Sequence, residues 1–235
     1  MSRGRIIRDT LAAVTIVNIG VIWVAQAAAN SPTRPPDLAK GAVIAAQGLP
    51  PSVPPCAQCH AYNGASDGSG AFPRIAGQSA FYLAKELRDY ASRVRTNAVM
   101  TPIAKALSSG GIADVTAYYA SVKAPYLPLA SPDAMLIERG GQLAKIGDAR
   151  KDLQACDSCH GPGGAGEPPA IPYLAGQYEH YIALQLTMWK RGLRNNSPDA
   201  MADVAKRLDA QDIAAVAAYF QQVDASAPAA TQPMK

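Results

Sequence analysis

The chain has no cysteine to spare and almost no histidine: four of the first and three of the second in 235 residues. All four cysteines fall in two pentapeptides, Cys56-Ala57-Gln58-Cys59-His60 and Cys156-Asp157-Ser158-Cys159-His160. Aromatic residues are scarce at 6%, while Ala, Gly and Pro are abundant, so the core has little bulk of its own. Charged residues make up 17% and form no basic run, which gives no footing for nucleic acid. With 49% hydrophobic residues the chain is nonetheless globular rather than disordered. Its length leaves room for two domains of ordinary size.

Each pentapeptide is C-x-x-C-H, the attachment motif of a c-type haem. Two thiols at this spacing can add to the two vinyl groups on one haem edge, and the adjacent histidine then lies under the iron as the proximal ligand. A redox dithiol or a four-cysteine zinc site uses the same thiols, but leaves both histidines, His60 and His160, as coincidence. The expectation is two covalently bound haem c groups, held by Cys56 and Cys59 and by Cys156 and Cys159. They would supply the apolar bulk that the composition lacks.

Long hydrophobic runs are missing except at the N-terminus. Arg3, Arg5 and Arg8 precede an apolar stretch from Leu11 to Val24, and Ala25-Gln26-Ala27 has the small-x-small form of a cleavage site. Residues 1–29 therefore read as a signal peptide, with an uncleaved anchor through residues 6–29 as the rival. Both readings export the remainder to the periplasm, soluble or held at the inner membrane. Without this segment the formal charge falls from +4 to +2.

The rest of the chain is one pattern written twice, at an offset of 99 to 101 residues. Phe72-Pro73-Arg74-Ile75-Ala76-Gly77-Gln78 parallels Ile171-Pro172-Tyr173-Leu174-Ala175-Gly176-Gln177. Tyr82 parallels Tyr181, Tyr90 parallels Trp189, Arg95 parallels Arg194, and Met100 parallels Met201. Apolar spacing predicts helices over about 38–47, 79–93, 102–107 and 112–122, and again over about 131–145, 178–192, 202–208 and 213–223. Ser131-Pro132 is the expected N-terminal cap of the second set. The predicted organisation is all-α: domain one at 30–124, domain two at 125–225 with a linker near 123–131, and a disordered tail at 226–235.

The sixth iron ligand separates a carrier from an enzyme. Met100 and Met201 are the only methionines matched across the repeat, 40 and 41 residues after His60 and His160, each expected in a loop before a short helix. They are the candidate distal ligands; gap-filling core methionine is the alternative. Histidine–methionine ligation closes the iron and raises its potential. The carbonyls at Pro73 and Pro172 are placed to accept the N–H of the proximal histidines, or to make simple turns. Arg95, Arg194, Tyr82, Tyr181 and Trp189 are candidates for the haem pocket, with ordinary helix amphipathicity as the alternative. His180 has Phe81 as its counterpart and is expected at a surface or between the halves.

Together these residues resemble the dihaem cytochromes c4, two class I cytochrome c domains in tandem. The resemblance spans 37–223 and rests on the two C-x-x-C-H motifs, on Pro73 with Gly77-Gln78, on Pro172 with Gly176-Gln177, and on Met100 and Met201. It implies two all-α lobes related by an approximate two-fold, each with histidine and methionine on the iron. Gly41 and Gly140 would sit where the first helix of each lobe crosses the last, close to Tyr119 and Phe220. One departure is Ala61 after His60, where the family commonly has glycine, as at Gly161. The family implies single-electron transport in the periplasm, from a quinol-oxidising complex toward a terminal oxidase, with no small-molecule substrate and no catalytic residue. The alternatives are an electron-transfer subunit of a dehydrogenase or respiratory supercomplex, and a dihaem peroxidase. The last needs an open iron, which the matched methionines oppose.

Overall fold

The computed structural model describes residues 34–125, 133–197 and 199–224. The expected signal segment or anchor at 1–29 and the expected tail at 226–235 lie outside the described residues, as does most of the expected linker. The chain divides into two units at Pro35/Pro36, and every described helix lies in the second.

Among the described residues there is no strand, only three isolated antiparallel bridges, and the fold is all-α. Helices α1 (Leu38–Gln47), α2 (Ala57–His60), α3 (Ala80–Ser92), α4 (Met100–Ala106) and α5 (Ser109–Ser121) make the first half. Helices α6 (Ala134–Lys145), α7 (Asp157–His160), α8 (Glu179–Lys190), α9 (Met201–Arg207) and α10 (Ala210–Gln222) repeat them in order. Side-chain caps set the starts. The Asp37 carboxylate accepts from Lys40 N at 3.0 Å, and Ser108 Oγ accepts from Gly111 N at 3.1 Å. Asp209 and Asp212 form a reciprocal capping box on α10. The second set starts later than expected. Its cap is Asp133, which accepts from Met135 N at 2.8 Å, because a carboxylate next to the first helical residue satisfies the orphan amides directly. Ser131 and Pro132 lie outside the described residues.

Each half has its own apolar core. Ile44, Ala45, Val53, Ile112, Val115 and Tyr119 fill the first, and Leu143, Ala144, Leu153, Ile213, Val216 and Phe220 the second. The first helix of each half crosses the last at a glycine. A Cβ on Gly41 would overlap the Asp114 carbonyl and the Tyr118 Cβ; one on Gly140 would overlap the Ala215 carbonyl and the Tyr219 Cβ. Only glycine permits that approach. The aromatic at the crossing is therefore Tyr118 or Tyr219, not its neighbour Tyr119 or Phe220 as expected. Those two turn toward the haem motif instead, where they pack on Gly64 and Gly164. One residue is a 100° turn of helix, enough to exchange the two roles.

Candidate haem sites

The C-x-x-C-H motifs are single helical turns that the sequence pattern was too short to reveal. His60 N and His160 N each bond back to the carbonyl of Cys56 or Cys156 at 2.9 Å. Each turn puts the two cysteines three residues apart, on one face. Cys56 and Cys156 are partly buried against the first helix, with Sγ 3.9 Å from the Ile44 and Leu143 carbonyls. Burial pushes their thiols up, to about 11 and about 12, so before any bond to a haem both are protonated at neutral pH.

The two motif histidines meet the proline carbonyls, as expected. His60 Nδ1 lies 3.1 Å from the Pro73 carbonyl, and His160 Nδ1 lies 2.9 Å from that of Pro172. A carbonyl only accepts, so Nδ1 carries the proton and the Nε2 lone pair is left for a metal. Burial lowers the pKa of both rings against the pull of the proline carbonyls. A neutral imidazole with a fixed tautomer is the form that can bind iron.

Met100 and Met201 are not in the preceding loops, as the sequence suggested. Each is the first residue of its short helix, α4 and α9, and each is partly buried. Asn97 Oδ1 accepts from Met100 N at 2.9 Å, and Ser197 Oγ from Met201 N at 3.5 Å. The side chain is thus launched from a capped helix end, a firmer mount than a loop. Of the unmatched methionines, Met135 is 76% exposed and has no place in a pocket.

Arg95, Arg194, Tyr82, Tyr181 and Trp189 come together in one buried seam between the halves. Arg95 donates to Glu86 Oε2 at 2.5 Å in its own half, and to Gln185 Oε1 at 2.6 Å and the Tyr181 hydroxyl at 3.1 Å in the other. Arg194 mirrors it, donating to Gln185 Oε1 at 2.8 Å, Glu86 Oε2 at 3.1 Å and the Tyr82 hydroxyl at 3.4 Å. Arg95 stacks 4.6 Å from the Tyr90 ring, and Arg194 3.8 Å from that of Trp189. This is the approximate two-fold in atomic form. Burial alone would raise the Glu86 carboxyl, but Arg194, Arg95 and Lys85 overcome it and hold the group below the usual range.

The polar atoms in this region that no protein group satisfies test whether the residues fit a haem. Arg95 Nε and Trp189 Nε1 are buried donors with no partner among the described residues. Buried donors are seldom left unpaired, and a haem presents two carboxylates at one edge. These two seam donors, a thiol pair in each half and a tautomer-fixed imidazole in each half fit that group.

Several of the seam's residues carried no signal. Gln78 brackets the backbone of Tyr173 with bonds of 3.3 Å to its N and O, and Gln177 brackets Arg74 with bonds of 2.9 Å. The repeated Gly-Gln was visible as a motif, but its role as a reciprocal clasp was not. Glu86, Gln185 and Asn196 join partners about a hundred residues away, beyond any local periodicity. His180 is exposed and packs against Gly70 of the other half, at the boundary expected for it.

A family model described as "Cytochrome C oxidase, cbb3-type, subunit III" matches residues 150–220. A protein named thiosulfate dehydrogenase electron acceptor from Stutzerimonas stutzeri (strain A1501) is 36% identical, over 75% of this chain and 82% of its own. A cytochrome c4 from Pseudomonas aeruginosa is 37% identical, over 71% and 82%. Among solved structures, the thiosulfate dehydrogenase TsdBA from Marichromatium purpuratum superposes with a TM-score of 0.75 at 36% identity, covering 81% of this chain and 41% of that one. Reduced recombinant cytochrome c4 from Pseudomonas stutzeri gives 0.70 at 31%, covering 80% and 100%.

Proposed function

The chain belongs to the dihaem cytochrome c4 family, and from that premise we propose that it is a one-electron relay which takes electrons from a dehydrogenase and passes them on toward a terminal oxidase. In this reading Cys56 and Cys59 carry one haem c and Cys156 and Cys159 the other. His60 and His160 are the proximal ligands, and Met100 and Met201 the distal ones. Residues 1–29 direct the chain to the periplasm, as a cleaved signal or as an anchor through 6–29.

Bound haem supplies reversible one-electron iron chemistry. The chain's own residues decide what is done with it. Pro73 and Pro172 fix the histidine tautomers and raise ligand basicity. The matched methionines would close both irons, which suits electron transfer and disfavours peroxide chemistry. The seam holds the two sites in one orientation. The observation that carries the reading is this doubling. Each half holds a thiol pair and a histidine fixed by a proline carbonyl, and each opens a short helix with a matched methionine.

A dehydrogenase as donor is supported by the relatives named for thiosulfate dehydrogenase. The test is rapid mixing of the oxidised dihaem protein with thiosulfate and a thiosulfate dehydrogenase. Reduction of both haems within the enzyme's turnover time supports the reading. No reduction there, with fast reduction by a quinol-oxidising complex, would move the donor to the respiratory chain.

A further inference from the structure

The seam's arginines and aromatics repeat under the two-fold, but its other charged groups do not: Lys85 and Asp89, which pair at 2.5 Å and both bond Asn196, answer Leu184 and Met188. Arg95 answers Arg194, Tyr82 answers Tyr181, and Tyr90 answers Trp189, but Glu86 answers Gln185. One is a carboxylate and the other a neutral amide, and each is 7% exposed. The asymmetry is reinforced by a second pair. Asn196 turns into the seam and donates to Glu86 Oε1 at 2.9 Å and Oε2 at 3.0 Å, while its Oδ1 accepts from Arg194 Nε at 2.9 Å. Its counterpart Asn97 turns away and caps Met100. Each guanidinium nitrogen of Arg194 therefore has a protein partner, while Arg95 Nε has none among the described residues.

We propose that Glu86 is the charge that sets the two haem irons apart in reduction potential. Its mate under the two-fold, Gln185, occupies a different place, so Glu86 lies off the axis. An off-axis charge is at unequal distances from two points that the axis relates, unless it lies in the plane that bisects them. A buried charge is weakly screened, so it favours the oxidised form of the nearer iron more than that of the farther one. Asn196 fixes the carboxylate on one side, which makes the inequality a permanent feature of the fold. Glu86 touches neither iron ligand and acts as a positioning charge. The inference rests on the reading that both halves hold redox-active haem.

The test is spectroelectrochemical titration of the dihaem protein, wild type, E86Q and E86Q/Q185E, with each haem followed by its own proton resonances. E86Q should raise both midpoints by unequal amounts and change the internal electron-transfer equilibrium constant about threefold or more. The double swap should move that constant in the opposite sense, because the charge then sits at the mate position. Equal shifts, or none, would overturn the proposal. If E86Q opens the seam, seen as a larger radius of gyration, Q185E alone decides: its added carboxylate must lower both midpoints unequally. A wild-type protein with fewer than two redox-active haems would sink the relay reading along with this one. Two active haems with an unchanged separation in E86Q would sink this inference alone.

Discussion

Where the first helix meets the last, the two halves are built on one plan and fastened in two ways. Both cross at a glycine, Gly41 or Gly140, pressed on the backbone of the partner helix. In the first half a backbone group meets a buried acid: Asp114 Oδ1 accepts the N–H of Asp37 at 2.8 Å. In the second the clasp is a cluster of ions. Asp212 accepts from Arg139 at 2.9 Å and from Lys151, Arg139 also reaches Asp148 at 2.9 Å, and Lys151 reaches Asp209 at 2.7 Å. The residue answering Asp212 in the first half is Gly111, which has no side chain to offer. The duplication has kept the contact that depends on shape and let the polar fastening diverge. Any solution satisfying the buried acid will serve, but only glycine fits the crossing.

The largest test of that contrast is Asp212→Ala. It removes the capping box and two cationic partners together, and should cost the second half about 2 kcal/mol while leaving the first unchanged. Urea denaturation followed by hydrogen exchange in each half measures this. Raising the salt should weaken the second half. A second half whose stability does not change with salt would mean that its ion cluster contributes nothing.

The next effect is on the seam. The folded Glu86 carboxyl titrates below its ordinary value of 4.5. The stability it contributes is whole above that value and is lost as pH falls through the depressed folded value. Acidification below about pH 4 should loosen the contact between the halves, read as faster amide exchange at Arg95 and Arg194. E86Q should lack this step.

Smaller still is the difference directly after the haem histidine. Ala61 has φ 57° and ψ 160°, and Gly161 has φ 74° and ψ 161°. That region is essentially reserved for glycine. Ala61→Gly should stabilise the first half by about 1 kcal/mol, and Gly161→Ala should cost the second at least as much. The second loses more because a Cβ there meets the Gly166 carbonyl at 3.0 Å. Thermal melts of the two variants would show opposite shifts; shifts of one sign would mean that the departure at Ala61 is accommodated elsewhere.

Much of this was legible in the sequence because it is local or repeated. The C-x-x-C-H spacing, the eight longer helices, and the prolines facing His60 and His160 follow from short-range pattern and from the match between halves. Met100 and Met201 stood out by their matched offset, although Asn97 and Ser197 draw them into the helices instead of leaving them in loops. The seam was not legible. Tyr82 and Arg95 look like amphipathic helix residues until the second half packs on them, and nothing near Glu86 in sequence points to Asn196, 110 residues away. Asp133 was passed over for Ser131-Pro132 because both patterns can cap a helix and only packing chooses between them. Gly41 was placed at the crossing correctly, but its partner was off by one residue, since periodicity locates a face more reliably than a position on it.

The central claim is that both sites are closed by the same kind of ligand pair. The visible spectrum of the oxidised dihaem protein tests it most directly, through the methionine–iron charge-transfer band in wild type, M100A and M201A. The account predicts that each substitution removes about half of the band and that the pair together abolishes it. A band unchanged by either substitution, or lost entirely with one, would contradict it.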